Sequence, residues 1–337
     1  MNLARKARRM AEKSAAKTRG PALPASGPML GDPPAHELRR VLDAYNRAQD
    51  PRATLDIVTP MLTRWPKSAT LLGVAGSVLL QMGDPAAAAF MLEQATVNAP
   101  RDSANFSNLG VAYKKLGRYA DAERAFQTAI ANNPNAIDPI YNLGNLYLDN
   151  KQYRPAMSQF MRVLDLDENH AEALNNVGTA LLLSDYSNQA AESFRLAIKA
   201  RPRFHVAMTN YAHALGNAQR TEEAIVAAKE ALAVGYDYTT DRFLCFEQAQ
   251  ICDWSSYERF ASLPVNAPDG AATPPFNALT FEDNPEHHLL RSRAFAADKM
   301  LKPAATPANP KPAADGRLRI GYLSADVHDH ATMFLFA

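Results

Sequence analysis

Residues 103–136 read SANFSNLGVAYKKLGRYADAERAFQTAIANNPNA, and this stretch decides the fold because it recurs. Numbered from 1 to 34, it carries Phe106, Leu109, Gly110, Tyr113, Ala122, Phe126, Ala129 and Pro134 at positions 4, 7, 8, 11, 20, 24, 27 and 32. One period later Ile140, Leu143, Gly144, Tyr147, Ala156, Phe160 and Val163 fill the same positions. The next step gives Leu174, Val177, Gly178, Leu181, Ala190, Phe194, Ala197 and Pro202, and a further one Met208, Tyr211, Ala212, Leu215, Ala224, Ala228 and Ala231. Backward, Leu72, Ala75, Gly76, Leu79, Ala88, Leu92, Ala95 and Pro100 fit. Leu38, Val41, Leu42, Tyr45, Val58, Met61 and Pro66 fit more loosely. Six copies thus cover residues 35–238 without insertion or deletion, a register that chance does not hold.

Each position has a physical reason. Position 8 is small because the two helices of one copy cross there, and a side chain would hold them apart. Position 20 is Ala in five copies for the same reason, with Thr54 the exception. Positions 4, 7, 11 and 24 supply the bulky side chains between helices. Proline at position 32 closes the second helix, since it cannot donate a helical hydrogen bond. One helix pair buries only part of its apolar surface, so the copies must stack. The pattern resembles the tetratricopeptide repeat, whose period is 34 residues. The resemblance implies an all-α, right-handed superhelical solenoid whose first helices line a concave face.

Composition agrees. The 337 residues are 47% hydrophobic, which excludes a wholly disordered chain. No apolar run approaches the roughly 18 residues of a membrane span. A net charge of +1 argues against nucleic-acid binding through overall field. Two cysteines make no disulfide framework and suit a reducing compartment, so a cytoplasmic location is expected. The basic charge concentrates at the N-terminus, where residues 1–28 hold seven Lys and Arg against Glu12. Residues 1–34 are read as a disordered basic tail; an organelle transit peptide is the other reading of their Arg- and Ala-rich make-up.

In the repeat family, position 6 points into the concave face. Here it reads Arg40, Val74, Asn108, Asn142, Asn176, Asn210. An amide offers donors and an acceptor together, so Asn108, Asn142, Asn176 and Asn210 form a candidate ladder for the backbone of an extended peptide. The simpler alternative is a solvated helix face, although Asn is a mediocre helix former that Glu, Lys or Gln would better replace there. Other inward positions are mixed: Asp138, Tyr141, Asn145, Glu172, Asn175, Thr179 and His213. Repeats that grip a chaperone's C-terminal carboxylate use Lys at position 5. Here position 5 reads Arg39, Gly73, Ser107, Tyr141, Asn175 and Thr209, which argues against that mode.

Residues 239–301 are expected to cap the array, leaving the 34-residue register. Residues 302–316 read as a Pro/Ala linker. Leu318-Arg319-Ile320-Gly321-Tyr322-Leu323-Ser324 then reads as a buried parallel strand. Cys252-Asp253-Trp254, and the strand followed by Asp326 and His330, resemble protein O-GlcNAc transferases of the Spindly type. The resemblance implies a nucleotide-sugar-dependent transferase of two Rossmann-like lobes, acting on Ser and Thr of proteins that the repeats hold. His330 then takes the place of the active-site histidine, and UDP-GlcNAc or another nucleotide sugar is the donor. Val327 and Ala331 depart from that pattern.

Residues 317–337 supply only the first strand of such a lobe, so the chain is expected to be the front part of a longer enzyme, inactive alone and without cofactor or metal. The alternative is a non-enzymatic scaffold for protein partners. Neither reading involves nucleic acid or membrane.

Overall fold

The computed structural model describes residues 31–47, 50–263, 281 and 284–299. Residues 1–30 of the expected tail 1–34, the linker 302–316, the strand from Leu318, Asp326 and His330 all lie outside them.

The described residues up to Phe260 form a run of helical pairs. They are α1 Ala35–Arg47 and α2 Pro51–Arg64, then α3 Ala69–Gln81 and α4 Pro85–Asn98. Next come α5 Ser103–Lys115 and α6 Tyr119–Asn132, followed by α7 Ile137–Asp149 and α8 Tyr153–Leu166. The last two pairs are α9 Ala171–Leu182 with α10 Ser187–Ala200, and α11 His205–Asn217 with α12 Thr221–Val234. α13 Tyr238–Gln250, a 3-10 turn Trp254–Ser256 and α14 Tyr257–Ser262 follow. No strand occurs among the described residues. In the unit beginning at residue 261, α15 spans Pro285–Lys299, and Asn284 Oδ1 accepts from the N–H groups of Glu286 and His287 at 3.0 and 3.3 Å.

The odd-numbered helices α1 to α13 also touch the next odd-numbered helix. The even-numbered ones make no comparable contact with one another among the described residues. First helices therefore form the closely spaced inner row and second helices the splayed outer row.

The crossings form where the small residues predict. A methyl group built on Gly110 would lie 2.5 Å from Phe126 Cε1, on Gly144 2.6 Å from Phe160 Cε1, and on Gly178 2.7 Å from Phe194 Cε1. These three phenylalanines are fully buried. Gly76 meets Leu92 in the same way. The sixth pair sets small on small, with Ala212 and Ala228 both fully buried. In the first copy position 8 is Leu42, which is 40% exposed, so the weakest match to the pattern is also the loosest crossing.

The second helices are capped by Trp65, Ala99, Asn133, Asp167, Arg201 and Gly235, each donating its N–H four residues back. The turn inside each of the second to sixth pairs places position 15 in the left-handed region. Gly83 and Gly117 adopt it freely, but Lys151, Asp185 and Gln219 adopt it too, at φ 58, 65 and 59°. The reward is a hydrogen bond from the following N–H to the carbonyl five residues back, as in Asp84 to Leu79, Gln152 to Tyr147 and Arg220 to Leu215, at 2.8–2.9 Å.

The segment after the sixth copy repeats this turn one residue early. Cys252 has φ 58°, and Asp253 N–H donates to the Gln248 carbonyl at 2.9 Å. α13 packs on α11 and α12 as the next first helix, and buried Cys245 falls at the small crossing position. The expectation that residues 239–262 leave the register is thus sharpened. They continue the array with a slip of one residue.

Candidate functional site

The inner row carries the four asparagines of position 6, and each is half-buried. Position 6 of one repeat lies beside position 9 of the repeat before it, 31 residues earlier in the chain. Asn108 Nδ2 donates to Ser77 Oγ at 2.8 Å. Asn176 Nδ2 donates to Asn145 Oδ1 at 2.7 Å and to the Tyr141 hydroxyl at 3.1 Å. Asn210 faces Thr179, but that hydroxyl donates to the Asn175 carbonyl at 3.0 Å inside its own helix. Asn210 Nδ2 instead donates to Asn175 Oδ1 at 3.0 Å, and Asn175 Nδ2 donates to Asn176 Oδ1 at 3.1 Å.

A chain of amides therefore runs from α11 through α9 to α7. Its length follows from donor count: Asn176 spends both N–H donors on α7, and its oxygen already accepts from Asn175. Asn175 is buried, so these bonds satisfy a polar group that would otherwise carry a desolvation cost. Asn142 stands apart. Its neighbour at position 9 is Val111, whose side chain offers no acceptor, and the Asn142 side chain makes no hydrogen bond among the described residues.

Sequence reading placed the four amides on the inner row and missed their pairing. The signal was present at the 31-residue spacing, where Asn108, Asn142, Asn176 and Asn210 match Ser77, Val111, Asn145 and Thr179.

Asn142 opens on a crevice of about 370 Å³ lined by Val111, Lys114, Lys115, Tyr119, Phe126 and Asp149. Lys114 Nζ and Asp149 Oδ2 pair at 2.7 Å across it. Further along, the position 9 side chain of the sixth repeat is His213, whose ring lies 4.2 Å from that of Phe243 on α13. Burial lowers the imidazole below its ordinary pKa, and Asp237 opposes the shift.

Behind the inner row, tyrosines at position 11 tie successive repeats. Tyr113 donates to Glu93 at 2.8 Å and Tyr147 to Glu123 at 2.7 Å. Burial and the Glu93 hydrogen bond push the Tyr113 hydroxyl up to about 12, so it stays a donor.

Cys252-Asp253-Trp254 is the turn after α13. Asp253 caps it, accepting from Ser255 N–H at 3.0 Å and from Gln248 Nε2 at 2.7 Å, while buried Gln248 also accepts from Ser256 Oγ. Ser255 and Gln248 hold the Asp253 carboxyl below its ordinary pKa. The Asp253 carboxylate thus has a folding role in this turn. Among the described residues, no cluster of His, Cys, Asp or Glu is placed to hold a metal ion, and no helix is long and apolar enough to cross a membrane.

Residues 106–136 and 137–170 match models of the tetratricopeptide repeat. No curated protein matches the sequence. Among solved structures, a tetratricopeptide repeat protein from Parabacteroides merdae is 15% identical. It spans 77% of this chain and 97% of its own, with a TM-score of 0.55. TTC0263 from Thermus thermophilus is 19% identical over 53% of this chain and 97% of its own, with a TM-score of 0.45. MamA from Desulfovibrio magneticus is 20% identical over 49% and 94%, with a TM-score of 0.46. Residues 106–170 are tetratricopeptide repeats, set in an all-helical tetratricopeptide solenoid.

Proposed function

We propose that the chain is a protein-interaction scaffold that holds extended peptide segments along its inner row of helices. The observation that carries this reading is the unengaged amide of Asn142 beside the crevice between α5 and α7. An extended peptide has an N–H and a C=O free at each residue, and a side-chain amide matches both without reading the peptide's side chains. Asn108 and Asn210 keep one N–H and the oxygen for the same use, whereas Asn176 serves the scaffold. The test is fluorescence anisotropy with extended peptides against the whole chain. Binding that Asn142→Ala weakens supports the reading, and absence of any binding refutes it.

A second reading is favoured by Arg319-Ile320-Gly321-Tyr322 with Asp326 and His330, which resemble the opening of a Spindly-type transferase domain. In it, the solenoid presents acceptor proteins for transfer from a nucleotide sugar to Ser or Thr, with His330 at the sugar-nucleotide cleft. Cys252-Asp253-Trp254 lends it less support, because turn geometry already explains that element. The check is genetic. A reading frame that continues past codon 337 into two Rossmann-like lobes supports this reading, and a clean stop leaves the scaffold alone.

A further inference from the structure

We propose that the seam between α5 and α7 anchors an acidic segment of an extended partner peptide, with Asn142 on its backbone and Lys115 on its carboxylate. This rests on the peptide-binding reading above and names the chemistry of the partner.

Three features meet at this seam and, among the described residues, at no other inner seam. First, Val111 replaces the acceptor that Ser77 and Asn145 supply elsewhere, so Asn142 keeps both N–H donors and its oxygen. Second, two lysines from α5 face the crevice. Lys114 is held by Asp149, whereas Lys115 is exposed and makes no ion pair among the described residues. Third, Val111 and the half-exposed ring of Tyr119 give the crevice apolar surface for a small side chain. Side chains of an extended peptide alternate in direction. A residue lying on Val111 therefore sends its neighbour's side chain away from the crevice, and a carboxylate two residues on returns to meet Lys115. The ion pair across the seam matters too: Asp149 neutralises Lys114, leaving one cation for one carboxylate.

The probes are two pools of fluorescent nonapeptides rich in Ser, Thr and Ala, one with a central Glu and one with a central Gln, titrated against the whole chain at low salt. The Glu pool should bind about two- to fivefold more tightly, the range of an exposed ion pair. Lys115→Gln should abolish that preference, so that the two pools bind alike. Asn142→Ala should weaken both pools by about tenfold with an unchanged melting temperature. Equal binding of the two pools by the unaltered chain overturns the acidic preference. Equal binding by Asn142→Ala and the unaltered chain overturns the anchor, while peptide binding itself stands. Binding of neither pool overturns both this proposal and the reading on which it rests.

Discussion

Asn176 on α9 donates to Asn145 on α7 at 2.7 Å, joining two first helices that the chain separates by a whole outer helix. The bond makes Asn176 part of the scaffold. Identical residues at one repeat position thus divide into structural and available amides, according to what stands 31 residues earlier.

Asn176→Ala should therefore lower stability by about 1–2 kcal/mol, because it leaves the Asn145 oxygen without its donor and the Nδ2 of buried Asn175 without its acceptor. Asn142→Ala should leave stability within about 0.5 kcal/mol. Urea unfolding of the two variants checks the contrast; equal losses would mean that the amide chain is not stitching α7 to α9.

Gly144→Ala sets two effects against each other. Alanine favours the helix by about 1 kcal/mol over glycine. Its methyl would lie 2.6 Å from the fully buried ring of Phe160, and overpacking costs about 1–3 kcal/mol. The contact wins, because the ring has no exposed side toward which to move. Thermal unfolding should show a lower midpoint for Gly144→Ala.

Thr54 occupies the position that is Ala in the other five repeats, and its buried hydroxyl has no partner among the described residues. Thr54→Ala should raise stability by about 1 kcal/mol, the cost of leaving a buried hydroxyl unpaired. A fall in the chemical-unfolding midpoint would show instead that the lost methyl matters more.

Acid should loosen the end of the array at α11 and α13. The His213 pKa is depressed in the fold by burial against Phe243, so its contribution is present above about pH 6.5 and is lost as pH falls through the folded value. Glu247 works in the opposite sense. Burial raises its carboxyl, so its contribution is present at low pH and lost as pH rises through the raised value. His213→Gln should flatten the acid limb of a stability profile from pH 7 to 5, and Glu247→Gln should leave that limb steeper. Unchanged slopes in both variants would rule out this seam as the origin.

The 34-residue period determined by itself the helix pairs, their crossings and their stacking. Gly110 with Phe126 and Gly144 with Phe160 are contacts inside one repeat, so the same size relation recurs in sequence each time it recurs in space. Three matters were decided only by tertiary structure. Lys151, Asp185 and Gln219 are bent into the left-handed region because the turn's returning hydrogen bond requires it, whatever residue is there. α13 joins the inner row although its turn at Cys252 comes one residue early, because packing on α11 and α12 sets its place. The amides are sorted by neighbours on another helix: a column of identical asparagines reads as one surface until Val111, Asn145 and Ser77 are set beside it.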